Sequence, residues 1–186
     1  MNNIKKNPIA EQSKRWLINA LLQLMEEKPY QNITIKEITD KALLSRRTFY
    51  RNFKTKEQIL SAYFEIICQE YVYYLHEETD LALPNITRVF FTFWKKYLDF
   101  LKILKSNNLF SLLLEKLNEF IPDVYNIFKG NLNEYDCKED LKYALAFSAG
   151  GYWNMLSIWL QDGAVKSARE LEKVVQDAIR ASSKEK

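Results

Sequence analysis

Apolar side chains recur at helical spacing along most of the chain. Leu17, Leu21, Leu24 and Met25 stand three or four positions apart, which predicts a first helix over residues 10–27. Similar stripes follow further along, and no segment alternates apolar and polar residues convincingly as a strand does. The pattern therefore predicts an all-α fold of about nine helices.

Residues that commonly begin helices stand immediately before several of these stripes. A Ser or Thr followed three positions later by Glu or Gln is a capping box, in which the two residues satisfy each other's backbone N–H groups. The predicted start signals are Thr34 with Glu37, Ser45 alone, Thr55 with Gln58, Ser167 with Glu170, and Pro84 in the first turn of a helix that is expected to reach Leu101. These signals divide the chain into the predicted helices.

Charge is distributed unevenly along the chain. The net charge is +3, but residues 1–56 carry 12 Lys and Arg against five Asp and Glu, a net charge of +7, whereas residues 57–186 are net −4. A basic segment is often simply solvated, so the asymmetry alone only suggests a partner. It is also the distribution expected of a protein that contacts nucleic acid through one end.

The segment 33–56 gives this basic end a chemical function. It reads as two short helices joined by a tight turn, and the second helix carries the polar side chains Arg46, Arg47, Thr48, Tyr50 and Arg51. Guanidinium groups suit guanine edges and phosphates, and hydroxyls suit backbone oxygens. We expect Arg46 or Arg47 to read a base, although contact with phosphate alone is the alternative. Phe49 and Phe53 are expected to be core residues.

A long uncharged segment, Tyr143–Gln161, lies near the C-terminus. Its 19 residues reach the length of a membrane span, but its polar residues favour a helix buried within or between subunits. Gly150 and Gly151 should each cost this helix about 1 kcal/mol, and close approach of another helix is the simplest compensation. A cavity or a kink is the alternative explanation. The last helix also has an apolar face, so the two helices together predict a four-helix bundle at a dimer interface, with two helices from each subunit. The residues predicted for this interface are Gly150, Gly151, Trp159, Leu171, Val175 and Ala178.

Aromatic residues are plentiful after residue 57 and could line a ligand pocket, although most aromatics at helical spacing are ordinary core. The residues predicted for the pocket are Phe64, Trp94, Tyr97, Phe110 and Tyr152. A pocket of this composition suits an apolar or flat molecule. We expect no enzyme activity and no cofactor, since the chain lacks a Gly-rich phosphate loop. We also expect no metal site, because the chain has a single histidine and its two cysteines lie far apart in the sequence.

The order of these motifs resembles the TetR/AcrR (tetracycline-repressor-like) family of transcriptional regulators. The matching segments are 33–38, 42–45, 48–53 and 56–60, which follow a first helix. The family often has glycine at the position of Leu43, in the turn between the two short helices.

The resemblance implies a cytoplasmic, all-helical homodimer that binds a palindromic operator in double-stranded DNA and does not enter a membrane. It implies a helix-turn-helix domain over residues 1–54 and a ligand-binding and dimerisation domain over 55–186. It assigns Thr34, Tyr50 and Lys56 to phosphate contacts. A repressor released by a small apolar effector is the first hypothesis. A DNA-binding protein that instead docks another protein is the second.

Overall fold

The computed structural model describes residues 8–128 and 138–182, and helices account for all of its regular structure in these ranges. The all-α prediction is therefore confirmed. The described ranges contain ten α-helices and one short 3-10 helix, Tyr30–Asn32. The α-helices are α1 (Pro8–Glu27), α2 (Ile35–Lys41), α3 (Arg46–Asn52), α4 (Lys56–His76), α5 (Leu83–Lys95), α6 (Leu98–Ser106), α7 (Phe110–Glu119), α8 (Ile121–Phe128), α9 (Lys138–Gln161) and α10 (Ala168–Ser182).

The helix expected to run from Pro84 to Leu101 is divided in two. The backbone N–H groups of Lys96 and Tyr97 donate to the carbonyls three residues earlier, both at 3.0 Å, so the chain tightens between α5 and α6. Apolar residues keep a helical spacing across this turn, which is why periodicity alone predicted a single helix.

Three of the four Ser and Thr start signals are observed as predicted. Thr34 and Glu37 form a reciprocal capping box at α2, Ser45 caps α3, and Ser167 with Glu170 precedes α10. At α4 the prediction was wrong in detail. The side-chain oxygen of Gln58 accepts from the backbone N–H of Lys54 at 2.7 Å, one residue before the predicted partner.

The chain divides into two compact units. The N-terminal unit reaches Ile67 and also includes Ile103–Leu109, while the C-terminal unit takes Cys68–Lys102 and the described residues from Phe110 onward. The predicted division after residue 54 lies before α4, whereas the compact units divide inside that helix. The physical reason is that the first half of α4 buries Ile59 and Leu60 with the N-terminal helices.

Each unit has its own apolar core. In the N-terminal unit, α1 packs against both α2 and α3 and buries Leu17 and Leu21. In the C-terminal unit, α5 packs along α10 and buries Phe91 and Phe93. None of the helices described is long and apolar enough to span a bilayer.

Candidate nucleic-acid interface

Helix α3 has a buried apolar side and an exposed basic side. Phe49 is fully buried and Phe53 nearly so, which confirms both as core residues. Ser45 begins the helix by accepting a hydrogen bond from the backbone N–H of Thr48 at 3.1 Å. The cap and the two buried rings together determine which residues of α3 face solvent.

The exposed side of α3 carries Arg46, Arg47, Tyr50 and Arg51. Among the described residues, none of the three arginines has a hydrogen bond or an ion pair. Tyr50 is 58% exposed and its ring meets the edge of Phe49 at 5.2 Å between centroids. The guanidinium donors are therefore available to an external acceptor, and a planar guanidinium binds guanine or phosphate with two parallel hydrogen bonds.

Thr34 and Thr48 have structural roles in capping. The Thr34 hydroxyl donates to a carboxylate oxygen of Glu37 at 2.8 Å and accepts from the Glu37 backbone N–H at 3.3 Å. The Lys28 ammonium also binds Glu37, and its hydrogen bond, followed by those from Thr34, lowers the pKa of the Glu37 carboxyl to about 2. The Thr48 hydroxyl lies 3.0 Å from that of Ser45. A phosphate contact by Thr34 and a DNA contact by Thr48 stay predictions.

Lys56 has a different environment from the one expected of a phosphate-binding residue. Its ammonium donates to the backbone carbonyls of Tyr30, Gln31 and Ile33 at 2.7, 3.1 and 2.9 Å, and it lies 4.5 Å from the centre of the Tyr30 ring. An ammonium has three donors, and here all three are used. We therefore reassign Lys56 from a phosphate contact to a residue that holds the 3-10 turn before α2.

The turn between α2 and α3 places Leu43 in a left-handed conformation, with φ of 54°. The N–H groups of Leu43 and Leu44 donate to the carbonyls of Asp40 and Thr39 at 3.2 and 2.9 Å, a Schellman motif that ends α2. Glycine is usual at this position because a Cβ is strained there. The Leu43 side chain is 91% exposed, so no packing compensates for the strain.

The C-terminal unit contains an apolar cavity of about 110 Å³. Of the five predicted pocket residues, Tyr152 lines it, and Phe110 stacks on the lining residue Trp153 with 4.3 Å between ring centroids. Phe110 itself and the other three predicted residues do not line it. The residues around it are Cys68, Tyr71, Leu75, Leu83, Ile86, Phe90, Leu114, Leu117, Phe120, Ile121, Val124, Leu145, Ser148, Ala149, Tyr152 and Trp153.

The remaining pocket predictions need correction for three different reasons. Phe64 is buried in the N-terminal unit, Trp94 is fully buried in the core of the C-terminal unit, and the Tyr97 hydroxyl donates to Glu70 at 2.5 Å. Tyr71 was not among the five predicted residues because it continues the apolar stripe of α4. Its hydroxyl distinguishes it from the apolar residues of that stripe, but aromatic residues at this spacing are usually core.

The last two helices each expose apolar side chains. Tyr143, Phe147 and Ile158 on α9 are more than half exposed, and Val174 and Ile179 on α10 are also exposed. Gly151 lies on the exposed side of α9. Among the described residues, no atom lies within 4 Å of where a Cβ at Gly150 or Gly151 would stand, and neither glycine lines the cavity.

Two of the predicted interface residues lie inside the protomer. Trp159 is buried and its indole N–H donates to the Lys166 carbonyl at 2.8 Å, and Leu171 is buried as well. We therefore remove both from the predicted interface. Val175 is partly buried and Ala178 is exposed on α10, so these two and the glycines remain predictions.

Comparison with known proteins places the helix-turn-helix segment in a family. Residues 17–63 match the family model of bacterial regulatory proteins of the tetR family. The chain is 35% identical over 85 residues to the transposon Tn10 TetC protein of Escherichia coli, an alignment that covers 46% of this chain and 42% of that protein. It is 41% identical over 46 residues to the uncharacterized HTH-type transcriptional regulator YvkB of Bacillus subtilis (strain 168), covering 25% and 24%.

The matched part of the chain thus spans less than half the length of either relative. It includes all of α2 and α3, the turn between them and the first residues of α4. These are the elements that carry the exposed arginines, the strained turn and the two capping residues. Residues 17–63 therefore form a helix-turn-helix segment of the type found in the tetR family of bacterial regulatory proteins.

Proposed function

We propose that this protein is a DNA-binding transcriptional regulator that inserts α3 into the major groove. The observation that carries the proposal is the exposed row of Arg46, Arg47 and Arg51 on a short helix whose opposite side is held by Phe49. In helix-turn-helix proteins the first residues of the second helix reach base edges. Arg46 and Arg47 occupy those positions, while Tyr50 and Arg51 lie further along and suit the DNA backbone.

The regulator acts as a homodimer on a palindromic operator. The exposed apolar side chains on α9 and α10 support this proposal, because apolar surface of this kind is unfavourable in water until it is covered. Gly150 and Gly151 have room for a second backbone to approach, which compensates the cost of glycine within a helix. Two copies related by a two-fold axis would present two α3 helices to half-sites about 34–36 Å apart.

The regulator is a repressor, and a small apolar effector releases it from its operator. The cavity in the C-terminal unit supports this hypothesis over the docking of a second protein. Tyr71, which lines the cavity, and Lys56, which holds the 3-10 turn, lie on the single helix α4. A ligand that displaces Tyr71 therefore acts on the same helix that positions the helix-turn-helix segment, provided that it binds the two states with different affinity.

Selection of bound DNA from a random pool, followed by fluorescence anisotropy at several salt concentrations, tests the proposed function. We expect one palindromic motif and an affinity that falls steeply with salt, because phosphate contacts release counterions. Light scattering at micromolar protein should give the mass of two chains, and Phe147→Glu should shift it toward one. A monomeric wild-type protein would overturn the dimer, and recovery of no motif would overturn sequence-specific binding.

A further inference from the structure

The cavity in the C-terminal unit is apolar but is lined by a small number of hydroxyl groups. Among the described residues that line it, none is Lys, Arg, His, Asp or Glu. An ion that entered would lose its water without gaining a counter-charge, which is strongly unfavourable. The composition therefore selects against carboxylates, phosphates and ammonium compounds and favours neutral molecules.

The two tyrosines of the cavity differ in their hydrogen bonding. The Tyr152 hydroxyl lies 3.1 Å from the Thr87 hydroxyl and donates to the Leu83 carbonyl, also at 3.1 Å. Its single proton is therefore used within the protein. The Tyr71 hydroxyl has no hydrogen bond to any residue that the structure describes, although the Tyr71 side chain is only 8% exposed.

A hydroxyl that has no partner beside an apolar cavity is unfavourable, and a ligand that pairs with it gains a hydrogen bond there. Burial, and secondarily the nearby Tyr152 hydroxyl, raise the pKa of Tyr71 above its ordinary value. Tyr71 is therefore protonated at neutral pH and is able to donate. Its ring is held by Phe90 and Phe93, with centroids at 5.8 and 5.1 Å, so the position of the hydroxyl is well defined.

The volume of the cavity limits the size of a ligand. An apolar cavity of about 150 Å³ is known to bind benzene. The present cavity of about 110 Å³ is slightly smaller, so a single small ring with minor adjustment of the lining side chains is the upper limit in this conformation. Larger molecules would require displacement of α4 or α9 side chains.

We propose that the cavity binds a small neutral single-ring molecule with one hydroxyl or carbonyl oxygen, and that the Tyr71 hydroxyl donates a hydrogen bond to that oxygen. The inference rests on the proposed function, because it names the chemical class of the effector and the residue that recognises its polar atom. Leu75, Ile86 and Phe90 contact the ring, and Tyr71 provides the specificity for oxygen.

Isothermal titration calorimetry on the full chain without DNA tests the proposal with phenol, benzene and benzoate. Tyr71→Phe should weaken phenol binding roughly three- to tenfold, the value of one neutral hydrogen bond, and change benzene binding less than twofold. Tyr74→Phe is the matched control. It removes a hydroxyl from the same helix, and Tyr74 is absent from the cavity lining. Benzoate should not bind.

A separate measurement shows whether the variant is intact. Tyr71→Phe removes a hydroxyl with no partner among the described residues, so its thermal midpoint should equal or exceed that of the wild type. Equal phenol affinity in wild type and Tyr71→Phe, binding of benzoate, or binding of neither phenol nor benzene would each overturn the proposal.

Operator binding, followed by anisotropy, separates this proposal from the proposed function. Tyr71-dependent binding of phenol that leaves operator affinity unchanged would support the site and overturn effector release. If larger or charged compounds release the operator and phenol does not bind, the present proposal is wrong. The repressor hypothesis would then still be supported.

Discussion

The side-chain oxygen of Asn107 accepts a hydrogen bond from the backbone N–H of Tyr30 at 2.7 Å, across 77 positions of sequence. The amide nitrogen of Asn107 donates to the carbonyls of Met25 and Ile103 at 3.3 and 2.9 Å. One buried amide therefore joins the end of α1, the 3-10 turn and the end of α6 within the N-terminal unit.

Replacing Asn107 with Ala should destabilise the N-terminal unit by about 2–3 kcal/mol. The substitution leaves the Tyr30 N–H and the Met25 carbonyl buried without their partner, and each such group costs about 1–3 kcal/mol. Urea unfolding followed by circular dichroism measures the change. Asn19→Ala, at an exposed position of α1, is the control and should change stability by less than about 0.5 kcal/mol. Equal effects of both variants would contradict the role of the amide.

Replacing Lys56 with Met should lower the free energy of unfolding by about 1–3 kcal/mol, because three backbone carbonyls lose a charged donor. Methionine keeps most of the apolar stem, so the loss reports mainly on the ammonium. The measurement is again urea unfolding, combined with the salt dependence of DNA binding.

Lys54→Met is the control for Lys56, since Lys54 is exposed just before α4. It should leave stability nearly unchanged. The opposite result would be a Lys56→Met variant with the same free energy of unfolding as the wild type, together with a slope of log affinity against log salt concentration that is smaller by about one. Lys56 would then be a phosphate contact.

Replacing Leu43 with Gly should stabilise the protein by about 0.5–1 kcal/mol. The left-handed conformation costs a residue with a Cβ about 1–2 kcal/mol, and part of the gain is lost to the greater freedom of glycine in the unfolded chain. Leu43→Ala keeps the Cβ and should bring no gain. Thermal unfolding of the three proteins checks this, and a glycine variant less stable than the alanine variant would show that the strain is absent.

Arg46→Ala and Arg47→Ala should relax the sequence preference at one base position in each half-site, at a cost of about 1–3 kcal/mol for the preferred base. Tyr50→Phe should instead weaken binding to all sequences alike. Sequencing of DNA selected by each variant provides the measurement. If both arginine variants selected the wild-type motif with undiminished preference, base reading by these residues would have to be abandoned.

The features determined by the sequence are mainly those that depend on residues close together in the chain. The periodic apolar stripes indicated an all-α fold, and the capping residues located the starts of α2, α3 and α10 within one residue. The basic face of α3 followed for the same reason, because side chains on one helix are ordered by its own geometry.

Other features were decided by the tertiary structure. Trp94, Trp159 and Leu171 were predicted to be in the pocket or at the interface and are in the core instead. The partners of Lys56 lie 23 to 26 positions earlier in the chain, and those of Asn107 include one 82 positions away. A pattern along one helix shows that a face is apolar, but only packing decides whether that face meets the core, a cavity or solvent. The direction of a long polar side chain depends on which carbonyls the fold brings within about 3 Å of it.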